Sequence, residues 1–210
     1  MARAGLTPDR VVRTAADLAD EIGFENITVS ALARGFGVTD ASLYSHVDSV
    51  QTLRVRIAQI ASRELANRLS SALAGRVGKD ALTAFAYAYR EFALRYPGRY
   101  MSLQMLPRET VGESVEHRRV TEYTYAMLQA YELSEPDLTD AVRLLRSAFH
   151  GYASLEAMGA FSDPRDVRAS WQQAVEALHA SLSSAAERSA ADVKDVGDTE
   201  KRPASPSGQQ

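Results

Sequence analysis

Helix start signals followed by helically spaced apolar residues recur along the sequence, and they constrain the fold more than any other feature. Thr7 stands directly before a proline, and Thr28 and Thr39 each stand at the start of a short run with helical character. Hydroxyl side chains at such positions accept hydrogen bonds from the free N–H groups of the first helical turn. After Thr7, apolar residues recur at i, i+4, i+7 and i+11, and no segment alternates as a strand would. The sequence therefore predicts an all-α fold.

Two short helices with a tight turn between them are predicted near the N-terminus. Gly37 and Val38 separate the run TVSALARGF, residues 28–36, from the run TDASLYSH, residues 39–46. A helix of this length is unstable alone, so neighbouring helices must hold it in place. Leu43 and Val47, four residues apart, would face inward. The arrangement is typical of a helix-turn-helix, whose second helix can enter the major groove of DNA.

Longer helices and a terminal tail are predicted for the rest of the chain. Asp48, with Gln51 three residues on, resembles a capping box at the start of a long fourth helix. Pro97-Gly98 would end a fifth helix, and residues 162–164, Ser-Asp-Pro, resemble the start of the last helix. From about Arg188 large apolar side chains become rare, and such a segment cannot offset its ordering entropy. The predicted units are a helix-turn-helix domain over 1–50, a larger helical domain over 51–187 and a disordered tail over 188–210.

Composition argues against several classes of protein and site. The chain has no cysteine, which excludes disulfides and thiolate metal sites. Its histidines are scattered without metal-ligand spacing, and no Gly-rich phosphate loop or serine elbow is present. No apolar run approaches the roughly 20 residues of a membrane span, and the N-terminus lacks the apolar core of a signal peptide. We therefore expect a cytoplasmic protein with no membrane partner, no catalytic site, no metal and no cofactor.

The N-terminal motifs resemble a known family. The run ITVSALARGFGVTDASLYSHVDSVQTL, residues 27–53, is similar to the DNA-binding segment of the tetracycline-repressor (TetR) family of bacterial regulators. The resemblance depends on the hydroxyl at Thr28, the Gly37-Val38 turn and above all the pattern Leu-Tyr-x-His-Val over 43–47. It implies a homodimeric transcriptional regulator, usually a repressor. Each N-terminal domain would read half of a palindromic double-stranded DNA operator, and the remaining helices would bind a small apolar or aromatic effector that releases the DNA.

Three kinds of DNA contact follow from this resemblance. Residues at the start of a helix would bind phosphate, where free N–H groups favour anions, and others would face base edges or donate hydrogen bonds to phosphates. The implied contacts are Thr28 and Ser30 to phosphate, Thr39 as the cap of the reading helix, Asp40, Ala41 and Ser42 to base edges, and Tyr44 and His46 as phosphate donors. The alternative is that Tyr44 and His46 only pack the reading helix against its neighbours.

Two residues depart from the family pattern. Many members carry a lysine near the start of the fourth helix, where this chain has Val50, and a basic or amide residue where this chain has Asp40. Asp40 would repel phosphate, although a carboxylate can accept a hydrogen bond from cytosine N4. Residues 1–60 also contain fewer arginines than acidic residues. Because phosphate contacts dominate affinity, we expect weak non-specific binding and a shallow salt dependence.

Tyrosine, phenylalanine and methionine are frequent in the larger predicted domain. For any one of them core packing is the ordinary role, but together they suit an apolar cavity with a few hydroxyl groups. His150, which begins a His-Gly pair resembling the penultimate helix of a TetR subgroup, could hydrogen-bond a ligand or be a core histidine. The predicted ligand-binding residues are Phe85, Tyr89, Phe92, Met105, Tyr123, Met127, Phe149, His150 and Tyr152.

The last two long helices have apolar faces that could form a four-helix dimer interface. The faces are Leu138, Val142, Leu145 and Phe149 on one helix, and Trp171, Val175, Leu178 and Leu182 on the next. Alternatively, these faces only close the core of the monomer. A rival to the regulator as a whole is a helical protein-interaction adaptor that has lost DNA binding, a reading that the acidic N-terminal domain encourages.

Overall fold

The computed structural model describes residues 7–106 and 115–200, with the backbone alone over 192–200. All regular structure in these ranges is helical, which confirms the predicted all-α fold. Two one-turn 3-10 helices lie at Phe24–Asn26 and Gln129–Tyr131. The α-helices are α1 (Pro8–Ile22), α2 (Val29–Phe36), α3 (Asp40–Tyr44), α4 (Val50–Leu73), α5 (Gly78–Arg95), α6 (Pro97–Met105), α7 (Val115–Leu128), α8 (Asp137–Ala157) and α9 (Val167–Glu200).

Hydroxyl caps begin several of these helices. Thr7 Oγ1 accepts a hydrogen bond from the Arg10 N–H at 3.3 Å, as the sequence predicts for α1. At the start of α4, Ser49 Oγ accepts from the Thr52 N–H at 3.0 Å. The predicted capping box at Asp48 is therefore wrong by one residue. Ser49 takes the cap because its backbone is extended and its hydroxyl reaches the third helical residue.

Two further helix starts differ from the sequence prediction. Pro97, predicted to end α5, is also the first residue of α6, where its missing N–H has no cost. The last helix begins at Val167 and not at residues 162–164. There the Asp166 carboxylate accepts a hydrogen bond from the Arg168 N–H at 3.1 Å. Residues able to begin a helix thus occur at more than one position, and the packing of the chain decides at which of them the helix begins.

The predicted disorder from Arg188 onwards is wrong over residues 188–200, because α9 continues to Glu200. Near its start the segment carries Ala190 and Ala191, and alanine has the highest helix propensity. It is also anchored, since Ser189 is buried and donates a hydrogen bond to Asp137 Oδ2 at 2.7 Å, at the start of α8. Residues 201–210 of the predicted tail lie outside the described residues.

Two hydrophobic cores share α4. The first core joins α1, α2 and α3 to the N-terminal half of α4, which contributes Leu53 and Ile57. The second joins the rest of α4, through Leu65 and Leu69, to the remaining helices. We call the first part the head and the second the body. The head core continues past the predicted boundary at residue 50, so α4 connects both parts rigidly. Among the described residues, no helix is long and apolar enough to cross a membrane.

The apolar faces predicted for dimerisation on α8 and α9 point into the body core instead. Leu145, Phe149 and Trp171 are almost completely buried within the single chain, as are Val175 and Leu182. The alternative, in which these faces close the core of the monomer, is therefore the one that the structure bears out. Helical periodicity identified the buried face correctly but could not say against which chain it packs.

Candidate nucleic-acid interface and ligand cavity

A left-handed glycine forms the turn between α2 and α3. Gly37 has φ 65° and ψ 36°, a conformation that glycine adopts without a Cβ clash. The Val38 N–H donates to the Ala33 carbonyl at 3.0 Å and the Gly37 N–H donates to the Arg34 carbonyl at 3.1 Å. These bonds satisfy the free carbonyls at the end of α2 in a Schellman-type cap. The chain therefore turns sharply and α3 begins three residues later.

Threonine caps fix the starts of both short helices, as predicted. Thr28 Oγ1 accepts from the Ala31 N–H at 3.1 Å and Thr39 Oγ1 accepts from the Ser42 N–H at 3.4 Å. The Thr39 and Ser42 hydroxyl groups lie 3.0 Å apart and also share a hydrogen bond. Leu43, on the opposite side of α3, is buried in the head core. One side of α3 is therefore packed against the head core, and the other side is exposed and can contact a partner.

Most of the predicted DNA-contact residues are exposed. Thr28, Ser30 and Thr39, together with Asp40, Ala41 and Ser42, all have exposed side chains, and Tyr44 retains 55% of its accessible surface. His46 is half-buried. An exposed tyrosine does not pack α3 against its neighbours, so the geometry of Tyr44 favours a contact with a partner over the packing alternative.

Ser30 and Asp40 contact each other directly. Ser30 Oγ, on the first turn of α2, donates to Asp40 Oδ2, on the first turn of α3, at 2.6 Å. The family resemblance implied different roles for these two residues, phosphate binding for Ser30 and a base contact for Asp40. Their hydrogen bond fixes the Asp40 carboxylate across the two helices. A fixed carboxylate is a directional acceptor, as a contact to cytosine N4 requires.

Two of the arginines in the head are engaged within the protein. Arg54 donates to the carbonyls of Glu25 and Ile27 at 2.9 and 3.3 Å, and Arg56 forms an ion pair with Asp9 at 3.0 Å. These side chains therefore stabilise the head and are not simply available to phosphate. The observation agrees with the expected shallow salt dependence of DNA binding.

A buried arginine connects the body to the head. Arg99, at the start of α6, is 8% exposed; its guanidinium bonds Asp20 Oδ2 at 2.7 Å and also pairs with Asp17, both on α1. The Arg99 N–H donates to Asp20 Oδ1 at 2.9 Å. Burial raises the pKa of Asp20, and Arg99 opposes that shift. We call Arg99 with Asp17 and Asp20 the α1–α6 clasp.

Gly98 allows the close approach that this clasp needs. A Cβ atom at Gly98 would lie 1.9 Å from the Ala19 carbonyl oxygen, well inside contact distance. Sequence reasoning did not find the clasp, because the Pro97-Gly98 pair was interpreted only as the end of α5. A Pro-Gly pair directly followed by an arginine and an apolar run was the available signal.

A cavity of about 120 Å³ lies in the body between α4, α5, α6, α7 and α8. Of the predicted ligand residues, Phe85, Tyr89 and Phe149 line it. The other residues that line it were not predicted. They are Ser62, Leu65, Leu103, Gln104, His117, Val120, Thr121, Thr124, Val142, Leu145 and Arg146.

The structure does not bring the remaining predicted ligand residues to the lining of this cavity. Phe92 and Met127 are buried in the body core, and Met105 is 50% exposed. Tyr123 accepts a hydrogen bond from Arg119 within α7, at 2.9 Å. Tyr152 lines a separate groove beside Phe161, with its hydroxyl donating to the Val167 carbonyl at 3.2 Å. Aromatic character alone therefore did not distinguish core side chains from cavity side chains.

His150 is linked to the cavity through two tyrosines. The Tyr89 and Tyr100 hydroxyl groups are 3.0 Å apart, and the Tyr100 hydroxyl lies 2.6 Å from His150 Nδ1. Burial lowers the pKa of His150, and the positive charge of Arg146 lowers it further. Burial also raises the pKa of Tyr89, so this chain of hydrogen bonds is uncharged at neutral pH. It reaches from the cavity wall towards the surface of α8.

Polar residues at positions where a helix face is otherwise apolar could have predicted the cavity. Ser62 follows Ala58 by four positions and precedes Leu65 by three, so it lies on the buried face of α4. Arg146 stands between Val142 and Phe149 with the same spacing on α8. Such polar residues interrupt a core stripe, and here both line the cavity.

Comparisons with known proteins agree with this arrangement. Residues 82–178 match the family described as "Tetracyclin repressor-like, C-terminal domain". The chain is 30% identical over 165 residues to a Bacillus subtilis (strain 168) protein named "Uncharacterized HTH-type transcriptional regulator YobS". That alignment covers 79% of this chain and 86% of the relative. The chain is also 32% identical over 164 residues to the Mycobacterium tuberculosis (strain ATCC 25618 / H37Rv) protein named "Uncharacterized HTH-type transcriptional regulator Rv0681", covering 76% of this chain and 74% of that one.

The chain belongs to the TetR family. It is a DNA-binding transcriptional regulator of the helix-turn-helix type, as the N-terminal motifs implied. The regulator reading is therefore favoured over the adaptor. The fold also matches the solved structure of a TetR variant from Acinetobacter baumannii AYE in complex with minocycline. That likeness has a TM-score of 0.64 at 19% identity and covers 85% of this chain and 97% of the other.

Proposed function

We propose that this TetR-family protein is a repressor that binds a palindromic operator as a dimer and is released by a small apolar ligand. The observation that carries the proposal is the exposed edge of α2 and α3, which is anchored from behind by Leu43. Asp40, Ala41 and Ser42 would face base edges in the major groove. Thr28, Ser30, Thr39, Tyr44 and His46 would contact phosphates and fix the register.

Dimerisation would use the outer face of α8 rather than the inner face. Leu144 and Leu155 are each 42% exposed, and with Gly151 they lie on one stripe at positions i, i+7 and i+11. A Cβ atom at Gly151 would meet nothing within 4 Å, so this part of the helix surface is open to a second helix. The exposed small residues Ala177 and Ala180 on α9 would complete the interface. Two heads held in this way could read half-sites about one helical turn, or a multiple of one, apart.

Effector release would depend on α4 and α6. Both helices line the cavity, through Ser62 and Leu65 on α4 and Leu103 and Gln104 on α6. Both also contact α1 in the head. A ligand that displaces either helix would change the angle of the head, and therefore the spacing of the two reading helices in a dimer. The solved structure in complex with minocycline supports a small-molecule effector as a class.

In vitro selection from random duplex DNA, at low salt and without added ligand, tests the proposal. We expect a palindromic sequence to be enriched by the wild-type protein. Tyr44→Ala should weaken binding to that sequence by at least about tenfold, since a hydrogen bond to a charged phosphate contributes roughly 1.5–3 kcal/mol. Tyr125→Ala is the matched control, because Tyr125 is also an exposed tyrosine but lies on α7 in the body.

Size measurement by light scattering completes the test. If the wild-type protein is a dimer and the Leu155→Arg variant is a monomer, the outer face of α8 is supported as the interface. A folded protein that enriches no sequence at low salt would contradict the operator proposal. A monomer that binds a single half-site would contradict only the dimer.

A further inference from the structure

Charge is distributed unevenly around the body cavity. Its described lining residues include one arginine, Arg146, and no aspartate or glutamate. The other polar groups are hydroxyls and side chains that can donate hydrogen bonds, among them Ser62, Tyr89 and Gln104. A cavity of this composition presents donors and a positive charge, and it lacks the acidic partner that a cationic guest would require.

Arg146 has no carboxylate partner among the described residues. By contrast, Arg90 pairs with Glu156 across α5 and α8, and Arg143, one turn before Arg146, lies 3.6 Å from Asp140. The Arg146 side chain is exposed on one side while it also lines the cavity, so it lies at the cavity mouth. An unpaired guanidinium at the mouth of an apolar cavity is a site for a planar anion, since its geometry matches a carboxylate.

The walls behind Arg146 are apolar. Leu65, Phe85 and Phe149, all almost completely buried, form much of the lining, and Leu145 lies one residue before the arginine. The cavity volume of about 120 Å³ is close to the roughly 150 Å³ that accommodates a benzene ring in an apolar protein cavity. It suits a single ring or a short alkyl chain.

Ser62 is a second, independent observation that points to a ligand. It is 0% exposed, and its hydroxyl has no hydrogen-bond partner within the described structure. Buried hydroxyl groups in native proteins almost always have a partner, and an orphan at a cavity wall calls for one inside the cavity. Because Ser62 lies on α4, a ligand atom that bonds it would contact the helix shared by head and body.

We propose that the effector is a small apolar carboxylate, which deepens the proposed function and rests on it. The carboxylate would lie at Arg146 within reach of Tyr89, and the ring or alkyl chain would pack between Leu65, Phe85 and Phe149. A polar substituent on the ring would reach Ser62. The class is defined by charge and size: one anionic head and an apolar body about as large as a benzene ring.

Calorimetric titration of the full chain with matched pairs of probes tests this inference. The probes are benzoate against benzamide and hexanoate against hexanamide, which share shape but differ in charge. We expect each carboxylate to bind at least about tenfold more tightly than its amide. Arg146→Gln should abolish that preference while the apolar contacts remain. Arg143→Gln is the matched control, since it removes one positive charge from the same helix outside the cavity.

The outcomes separate this inference from the operator proposal, because the DNA selection contains no ligand. A carboxylate preference that is lost in Arg146→Gln and kept in Arg143→Gln supports the inference. Equal binding of acid and amide, a preference that survives Arg146→Gln, or no binding of any probe overturns it. The circular dichroism spectrum of Arg146→Gln should match that of the wild type, so that a loss of binding cannot result from unfolding.

Discussion

The head and the body place their functional residues in different ways. In the head, the predicted DNA contacts come from one stretch, residues 28–46, and most are exposed along two adjoining short helices. In the body, side chains from five helices form the cavity, and only Phe85, Tyr89 and Phe149 of its lining were predicted. A site built from consecutive residues can be recognised from caps, turns and spacing. A site built by convergence of distant helices depends on contacts that no local pattern reports.

Replacing Leu43 by alanine should give the largest effect and separate the two regions. Leu43 is 2% exposed and anchors α3, and such a truncation costs about 2–5 kcal/mol of unfolding free energy. We expect DNA binding to be lost while calorimetric probe binding in the body is retained. Val77→Ala, at a valine that is 78% exposed, should change the unfolding free energy much less. Loss of ligand binding in the Leu43 variant would show that head and body unfold together.

Gly98→Ala tests whether close packing of α1 against α6 joins the two regions. The added Cβ would meet the Ala19 carbonyl at 1.9 Å, so α6 must shift away from α1. Overpacking of this kind costs about 1–3 kcal/mol of unfolding free energy. Gly35→Ala is the control, because a Cβ there meets nothing within 4 Å. A fully stable Gly98 variant with unchanged ligand-induced release would contradict a coupling role for the clasp.

Asp40→Asn sharpens the account of the reading helix. The change keeps the side chain's shape but removes a negative charge and the carboxylate bonded to Ser30. We expect tighter non-specific DNA binding and an altered preference of about 1–3 kcal/mol at one base pair. Both would appear in a repeated selection and salt titration. Asp163→Asn, an exposed aspartate in the body, is the matched control. An unchanged selected sequence would show that Asp40 does not read a base.

Ser62→Ala should produce the smallest effect of these variants, and it should stabilise the protein where the Leu43 and Gly98 variants destabilise it. Removing an unpartnered buried hydroxyl relieves a desolvation cost, so the unfolding free energy should rise by about 1 kcal/mol in chemical denaturation. Binding of a ring-hydroxylated carboxylate such as 4-hydroxybenzoate should weaken relative to benzoate. Ser71→Ala, at an exposed serine near the end of the same helix, is the control. A loss of stability would mean that the Ser62 hydroxyl has a partner in solution.

Local chemistry made much of the head predictable. The caps at Thr28 and Thr39 and the left-handed turn at Gly37 follow from side-chain and backbone preferences over a few residues. The start of α4 was predicted one residue early because Asp48 and Ser49 are both good caps, and only the packed chain chooses between them. The helix beyond Arg188 was missed because its anchor, Ser189 bonded to Asp137, joins residues far apart in the sequence.

By itself the sequence determined that the chain is helical, where most of the helices lie and which sides of them are buried. It also determined the reading helix, since a capped helix after a glycine turn is specified by neighbouring residues. Only the tertiary structure decided that the inner faces of α8 and α9 close the monomer core, that Arg99 binds α1, and that Ser62 and Arg146 meet at one cavity. The reason is physical. Periodicity states which face of a helix avoids water, but the partner of that face is set by the packing of the whole chain.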